Sequence, residues 1–295
     1  MLGGFDPSAT PADRRRVTLV LAVAIFGIST SAVLVRGMDD AAPLTVAAWR
    51  TLGASLLLSP GIWLGQATIK PRQLAGIVAA GVLLGLHFWL WFASIHATTI
   101  LRSTLLVCTV PLWSGLMEWA ISGQRPAGRF WFGATAALAG STLTAGSESG
   151  EGQLLGDAMA LGAGILWAIY LQIGRAVRQR VGIATYMGLV CFCATLFLFP
   201  AAVATSTPLL GFSTTTWGLL LCAILGPQLL GHQGFNYAVK WLPSHVIATV
   251  MLLEPLGAAL LAAAAFGEFP PPTAALGGAI VLGGVVLATR APKGA

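Results

Sequence analysis

Two histidines lie inside long apolar stretches, where burying a titratable side chain costs free energy and usually indicates a function. His87 occurs in LLGLHFWLWFAS and His232 in LLGHQGFNYAV, 145 residues later. At the same offset Phe92 matches Tyr237, so the histidines occupy equivalent places in a repeat. Each could simply donate to a carbonyl of a neighbouring helix. The matched pair favours a cavity lined from two halves of the molecule.

Helical spacing places further polar and aromatic groups on the two histidine faces. Trp91 follows His87 by four residues and Asn236 follows His232 by four, which puts each pair on one side of a helix. Tyr237 adds a phenol beside Asn236. Each face therefore combines a titratable or amide group with an aromatic ring.

A single glutamate lies at the centre of the apolar run HVIATVMLLEPLGAALLAAAAFGEFP. It is Glu254, and it precedes Pro255, which removes one backbone donor and frees a carbonyl near residue 251. A carboxylate at that depth needs a cation, water, strong donors or a proton. Two interpretations stay open: a proton site or counter-charge for a substrate ammonium, and a neutral acid bonded to the freed backbone.

Aromatic residues are frequent in the middle of the apolar runs, where an interfacial role does not explain them. Such rings suit flat apolar or cationic molecules through stacking and cation–π contact. With the polar groups above, they give the predicted substrate-binding set: His87, Trp91, Trp113, Trp167, Tyr170, His232, Asn236, Tyr237 and Glu254.

Three other charged residues fall within or beside apolar runs. Arg50 could attract an anionic carboxylate, or pair with an acidic group or helix carbonyls. Glu118 lies toward the end of its run, where a charge reaches the interface and a structural role is favoured. Asp157 is expected to complement the dipole at the start of a helix.

The sequence contains no motif of a known catalytic or nucleotide-binding site. Walker A, HExxH, GxSxG and Cys/His cluster patterns are all missing from the chain. The four cysteines lie inside apolar runs without CxxC spacing. We therefore expect no enzyme activity, no cofactor, no metal and no disulfide.

Composition defines the elements that must position these residues. Of 295 residues, 56% are apolar and 9% charged, with a mean hydropathy of +0.83; soluble domains carry roughly 25% charged residues. A bilayer core takes about 20 apolar residues per helix. Ten runs meet this length: 17–36, 43–63, 73–95, 100–121, 130–147, 154–174, 184–205, 214–239, 244–266 and 272–289.

The basic residues are distributed unevenly between the two sides of this arrangement. Thirteen of the 16 lysines and arginines fall on the side of the N-terminus. The positive-inside rule then predicts that both termini are cytoplasmic, with residues 1–16 as a flexible tail before an uncleaved first helix. Orientation also explains the net charge of +6 better than nucleic-acid binding does.

The chain repeats itself at about half its length. At an offset of 144 residues Pro111 matches Pro255 and Gly123 matches Gly267. This predicts two five-helix halves, 17–147 and 154–289, with a junction at 148–153 and a cytoplasmic tail at 290–295. Because five is odd, the second half enters from the opposite side. The predicted class is an all-α membrane protein with two inverted repeats around a central cavity, a geometry that supports alternating access.

The repeat and its motifs resemble a known transporter group over nearly all of residues 17–289. Arg50, the stretch LPSHVIATVMLLEPLGAALLAAAAFGE and its fainter counterpart at 99–124 carry the resemblance to the drug/metabolite transporter superfamily, in particular exporters with two EamA-type repeats. Val110 stands where the family has the glutamate before the proline, so only the second half keeps that carboxylate. The resemblance implies ten helices, a central cavity and export of metabolites or drugs. The aromatic-rich spans are most similar to YddG-type exporters of aromatic amino acids.

These observations lead to one predicted function and two alternatives. We expect a secondary transporter of the bacterial inner membrane that exports small amphipathic metabolites, with aromatic amino acids as the best substrate. Its partners would be that small molecule and the lipid bilayer, without nucleic acid; protons as a coupling ion stay open. The alternatives are proton-coupled efflux of cationic drugs, and a membrane enzyme or lipid-binding scaffold that transports nothing.

Overall fold

The computed structural model describes residues 5–64, 69–123, 125–145, 151–267, 269 and 273–289. Every regular element in these ranges is helical, which agrees with the predicted all-α class. The helices are α1 (Pro11–Ser29), α2 (Ser31–Arg36), α3 (Pro43–Leu64), α4 (Pro71–Ala97), α5 (Ile100–Val107), α6 (Val110–Ser122), α7 (Gly128–Ala145), α8 (Glu151–Arg178), α9 (Ile183–Ala204), α10 (Thr214–Ala223), α11 (Gln233–Ala238), α12 (Ser244–Val250), α13 (Glu254–Phe266) and α14 (Ala274–Thr289). A π-helical segment, Ile224–His232, joins α10 to α11, and a 3-10 turn, Met251–Leu253, joins α12 to α13.

The first helix begins earlier than the hydropathy of the sequence predicts. Residues 11–16 are helical and not a flexible tail, because Thr10 and Asp13 form a capping box and Pro11 occupies the first turn. The predicted junction at 148–153 is described only from Glu151, where α8 begins. Residues 148–150 and the predicted tail at 290–295 lie outside the described residues.

Besides the first predicted span, which divides into α1 and α2 at Thr30, three predicted spans are interrupted helices, each beside a proline. The fourth is α5 and α6, separated at Cys108 and Thr109 just before Pro111. The ninth is α12 and α13, and the 3-10 turn confirms the break expected before Pro255. The eighth contains the π-helical segment around Pro227. A proline removes a backbone donor and crowds the preceding turn, which accounts for irregularity at each site.

Among the described residues, seven helical stretches are long and apolar enough to cross a membrane by length and composition. They are Pro11–Arg36, Pro71–Ala97, Arg102–Ile121, Leu154–Arg178, Ile183–Ala204, Thr214–Ala238 and Ser244–Phe266. Helices α3, α7 and α14 coincide with the other three predicted spans. Each predicted span thus has a helical counterpart, while the count of ten crossings stays a prediction.

The helices pack in pairs that join the two halves of the chain. The most extensive contacts are α7 with α14, α4 with α8, α3 with α9, and α1 with the π-helical segment and α11. The fourth and ninth spans also meet, α6 against α12 and α5 against α13. Hydrophobic residues from all these pairs share one large core, to which α7 contributes Ala137 and α14 contributes Val285. A second, small cluster between α7 and α14 contains Phe130, Ala134 and Ala288.

Polar contacts close the end of the bundle at which α1 begins, here called the N-terminal end. His245 Nδ1 lies 2.6 Å from Glu118 Oε2, which joins α12 to α6. The Arg178 guanidinium donates to the carbonyl oxygen of Asn236 at 3.0 Å and to that of Val181. A buried arginine at the end of α8 thereby links α11 to the loop between α8 and α9.

Different polar contacts close the opposite end, here called the far end. Arg102 and Asp157 form a two-pronged ion pair between α5 and α8, with a shortest distance of 2.6 Å. The Asp40 carboxylate accepts from the Thr216 hydroxyl and from the Ser213 amide at the start of α10. The hydrogen bonds from Thr216 and Ser213 hold the pKa of Asp40 below its ordinary value.

Candidate functional site

The fourth and ninth spans cross in the core, and the crossing brings the breaks before Pro111 and Pro255 together. The Cys108 thiol, at the end of α5, lies 3.7 Å from the carbonyl oxygen of Met251 and 4.0 Å from Glu254 Oε2. Pro111 and Pro255 each occupy the first turn of the helix that follows a break. Helix starts and irregular backbone therefore face one another, as expected where two halves build a shared site.

A small enclosed cavity lies beside this crossing. It is lined by Ile28, His87, Trp91, Val107, Cys108, Val110, Trp167, His232, Met251 and Glu254. Its volume is about 10 Å³, the space of roughly one water molecule. The cavity has the mixed aromatic and polar lining of a ligand site, but in this conformation it is too small for an amphipathic metabolite.

The matched histidines both reach this cavity, with their ring centres 6.2 Å apart. His87 Nδ1 lies 2.9 Å from the carbonyl oxygen of Ala163 on α8, which is the structural role considered for a buried histidine. His232 differs, because neither ring nitrogen has a hydrogen-bond partner among the described residues. Its ring lies edge-on to Trp167, 4.6 Å away. Only His87 has a structural explanation.

Glu254 is buried on the same cavity wall. Its side chain is 2% exposed, and Oε1 has no hydrogen-bond partner within the described ranges. The alternative of a carboxyl group bonded to freed backbone is not seen, since its recorded contact is with the Cys108 thiol at 4.0 Å. A buried carboxyl group without strong partners is costly unless a cation or proton reaches it. The position suits a cationic ligand or an exchangeable proton.

Aromatic rings form the rest of the wall. The Trp91 ring stacks near His87 with 5.9 Å between centres, and its indole nitrogen has no partner in the described part of the chain. Trp167 donates to the Met251 sulfur at 3.1 Å and stacks on Tyr170 at 4.8 Å. Tyr170 is therefore behind Trp167, in a second layer.

Besides Tyr170, three further residues of the predicted set are not on this cavity. Trp113 is partly buried and donates to its own helix neighbour Thr109 at 3.1 Å. The Asn236 amide nitrogen donates to the carbonyl oxygen of His232 at 2.8 Å, along the same helix. Tyr237 packs near the Arg16 guanidinium, 5.7 Å from its ring centre.

Several lining residues were not predicted, although the repeat contains a signal for them. At the 144-residue offset Val107 corresponds to Met251 and Val110 to Glu254, and all four line the cavity. Equivalent backbone positions in the two halves thus face the same space. The alignment of Pro111 with Pro255 at this offset could therefore have identified these lining positions, whether their residues are polar or not.

Arg50 is fully buried next to the site but has no acidic partner within hydrogen-bond reach. Its guanidinium donates to Gln228 Oε1 at 3.0 Å and to the Ser31 hydroxyl at 2.9 Å. It also lies over the Phe88 ring, 4.5 Å from the centre. The sequence suggested a carboxylate or a helix carbonyl as the partner of Arg50, but the observed partners are a side-chain amide and a hydroxyl. Gln228 belongs to the π-helical segment.

The chain is similar to known transporters over most of its length. It is 28% identical over 292 residues to the uncharacterized transporter YwfM of Bacillus subtilis, covering 93% of each chain. It is 28% identical to the threonine/homoserine exporter RhtA of Escherichia coli K12, covering 89% of this chain and 88% of that protein. One crystal structure matches with a TM-score of 0.76 at 20% identity, over 94% of this chain and 98% of the other, which shows the shared fold.

A family model fits both halves separately. The EamA-like transporter family matches residues 16–146 and again residues 154–290, close to the halves predicted from the proline repeat. Several apolar helices of spanning length agree with a multi-pass membrane protein. The chain belongs to the EamA-like transporter family.

Proposed function

We propose that this protein exports amino acids and similar small amphipathic metabolites, with a preference for aromatic amino acids. The observation that carries the proposal is the enclosed cavity at the crossing of the two breaks. There an aromatic wall surrounds the Trp91 indole nitrogen, both His232 ring nitrogens and Glu254 Oε1, which lack hydrogen-bond partners among the described residues. Buried polar groups are normally paired, so unpaired ones in a transporter core are candidate substrate contacts.

The named relatives support the substrate class more than the aromatic preference. RhtA is described as a threonine/homoserine exporter, and its substrates carry the same ammonium and carboxylate groups as an aromatic amino acid. The aromatic preference depends on Trp91, Trp167 and the ring of His232, which offer flat surfaces to a substrate ring.

The contact pattern supports two inverted repeats of five spans. If the two halves are related by symmetry, span 1 corresponds to span 6, span 2 to span 7, and so on. The contact between α3 and α9 (spans 2 and 7) and the contact between α7 and α14 (spans 5 and 10) then each correspond to themselves. The same correspondence maps α4–α8 onto the pair formed by α1 with α11. We propose on this basis ten crossings, and from the basic residues a cytoplasmic N-terminal end in the inner membrane of a bacterium.

The small central cavity and the polar contacts at both ends support a mechanism of alternating access. Contacts at Glu118 and His245 close the N-terminal end, and contacts at Arg102 and Asp157 close the far end. A substrate reaches the central cavity if one set opens while the other stays closed. Two halves with related packing can exchange which side is open.

Reconstituted vesicles test the proposed function directly. Purified protein in vesicles loaded with labelled phenylalanine should release it faster than protein-free vesicles, and unlabelled phenylalanine inside should slow that release by competition. Loading with threonine compares the two substrate classes. Equal rates for both amino acids would reject the aromatic preference, and no flux of either would reject amino-acid export.

Proton-coupled efflux of cationic compounds is the second candidate, because Glu254 offers a buried carboxyl group inside an aromatic wall. A cation or a proton could occupy it in turn. Under this candidate Glu254→Gln should abolish efflux of a fluorescent quaternary ammonium and its dependence on a pH gradient. If Glu254→Gln leaves both unchanged while the protein remains folded, the coupled mechanism is wrong.

A further inference from the structure

A second cavity opens at the N-terminal end of the bundle, between α6 and α8. Its volume is about 480 Å³, and its walls include Glu118, Ile121, Gln172, Ile173 and Arg175. Ligand sites for small molecules typically measure about 300–1,000 Å³. This cavity, here called the access groove, is thus large enough for an amino acid, unlike the central one.

The access groove presents both signs of charge side by side. Arg175 Nη1 lies 3.7 Å from Glu118 Oε1, beyond a normal hydrogen bond. That arginine nitrogen is buried and has no hydrogen-bond partner among the described residues. The Glu118 carboxylate is held in place by His245. A guanidinium and an oriented carboxylate match the carboxylate and ammonium of a zwitterion.

Apolar side chains flank the charged pair. Ile121 is 75% exposed, and Ile173 is partly buried on the neighbouring helix. An apolar substrate side chain would be removed from water by packing against these two isoleucines, which is favourable. The groove therefore has a charged wall, formed by Glu118 and Arg175, beside an apolar wall formed by Ile121 and Ile173.

The access groove and the central cavity lie on the same faces of the same two helices. On α6, Val110 lines the central cavity and Glu118 lines the groove; on α8, Trp167 and Arg175 do the same. Both pairs are eight residues apart, which is about 12 Å along a helix. The two cavities thus follow each other in register along the bundle.

On α8, Gln172 lies on the wall of the access groove, between Arg175 and the Trp167 of the central cavity. The Gln172 amide donates to the carbonyl oxygen of Ser114 at 3.0 Å, which bridges α8 to α6. Its amide oxygen lies 3.4 Å from the Ser244 hydroxyl at the start of α12. This one side chain therefore joins three helices beside the route from the groove to the central cavity.

We propose that the access groove is a first binding site for zwitterionic amino acids on their way to the central cavity. Glu118 accepts hydrogen bonds from the substrate ammonium, Arg175 donates to its carboxylate, and the side chain lies against Ile121 and Ile173. The inference rests on the proposed export of amino acids and on a cytoplasmic N-terminal end. Breaking the Gln172 bridge then admits the substrate to the centre.

Binding of labelled phenylalanine to the full-length protein in detergent tests the two charge contacts separately. N-acetylphenylalanine lacks the ammonium and phenylalanine methyl ester lacks the carboxylate. We expect the unchanged protein to bind phenylalanine about tenfold more tightly than either competitor. Glu118→Gln should bind phenylalanine and the N-acetyl compound equally well, yet still discriminate against the ester. Arg175→Gln should show the opposite pattern.

Arg180→Gln is the matched control, because it removes an exposed cation from the same end outside the groove. It should keep both discriminations. The inference is overturned if Glu254→Gln, and not Glu118→Gln, erases the ammonium preference. It is also overturned if the two groove variants change only the binding of phosphatidylethanolamine in mixed micelles, which would make the groove a lipid site.

Flux separates this inference from the proposed function. If the unchanged protein transports phenylalanine while both groove variants keep its KM and its discrimination, the access site is wrong and export stands. If the unchanged protein transports no amino acid, export itself is wrong. Thermal unfolding of each variant identifies any that merely fails to fold.

Discussion

His87 and His232 occupy equivalent places in the two halves but have different surroundings. His87 contacts the carbonyl oxygen of Ala163, whereas His232 has only ring neighbours among the described residues. A polar group retained without a partner stabilises nothing by hydrogen bonding. We therefore expect the His232 ring to form hydrogen bonds in another state of the protein, such as the state that holds a substrate.

The two histidines should therefore respond in opposite ways to the same substitution. We expect His87→Phe to lower the free energy of unfolding by about 1–2 kcal/mol, because it removes an interhelical hydrogen bond. His232→Phe should leave stability unchanged or raise it, yet reduce phenylalanine flux at least tenfold. Thermal unfolding in detergent and vesicle flux measure the two effects.

Each histidine variant serves as the control for the other, since both introduce the same ring at equivalent depth. An equal loss of stability in both would mean that His232 has a structural partner in the membrane. Normal flux in His232→Phe would remove this side chain from the substrate path.

Half of the ten residues that line the central cavity could be predicted from the sequence, and the failures have a physical cause. His87, Trp91, Trp167, His232 and Glu254 were predicted from polarity and mid-span position, and all line one cavity. Asn236 is predicted from its four-residue spacing from His232, and Tyr237 from its match with Phe92 in the repeat. Asn236 does lie one turn beyond His232, whose carbonyl oxygen accepts from its amide nitrogen at 2.8 Å. A cavity of about 10 Å³ does not extend over that turn, which is about 6 Å long.

The helices α7 and α14 are held together by backbone contact. A Cβ atom at Gly133 would lie 2.6 Å from the carbonyl oxygen of Gly284, and one at Gly284 would lie 2.5 Å from that of Gly133. Gly140 approaches the Gly277 carbonyl in the same way, at 2.7 Å. Small residues that allow backbones to approach so closely are typical of helix pairs in membranes.

This packing predicts different outcomes at two adjacent glycines of α14. Gly284→Ala should lower the free energy of unfolding by about 1–3 kcal/mol, because the new methyl group meets backbone that cannot move aside. Gly283→Ala meets nothing within 4 Å and should be neutral or slightly stabilising, since alanine favours a helix. Thermal unfolding compares the two. Equal effects would show that the helices do not approach as described.

At the level of elements, the sequence predicted where helices lie but not which helices touch. Hydropathy and prolines located the spans and the break before Pro255. The glycines of α7 and α14 indicate close packing in general, yet a partner depends on the shape of both surfaces. Gly61 of α3 is a second example: a Cβ there would lie 2.3 Å from that of Ala184 on α9, and the sequence does not indicate this partner.

At the level of the whole molecule, the contacts at the two ends should compete. The central cavity of about 10 Å³ can expand only if the helices separate at one end. The Arg102–Asp157 ion pair holds the far end and the Glu118–His245 contact holds the N-terminal end. Weakening one contact shifts the equilibrium toward the state in which that end is open.

Labelling of Cys108 by a membrane-impermeant thiol reagent reports this shift. Cys108 is 1% exposed and lines the central cavity, so it reacts when either end opens. The other three cysteines would be replaced by alanine. Asp157→Asn removes an ion pair worth about 1 kcal/mol. It should therefore speed labelling about fivefold from the far side of the membrane in intact cells.

His245→Ala is the mirror-image control, because it breaks the contact with Glu118 at the other end. It should speed labelling in inside-out vesicles and slow it in intact cells, since opening one end closes the other. If either variant speeds labelling equally from both sides, the bundle has only been loosened. Reciprocal changes would instead require two alternative states of one molecule, each closed at the end where the other is open.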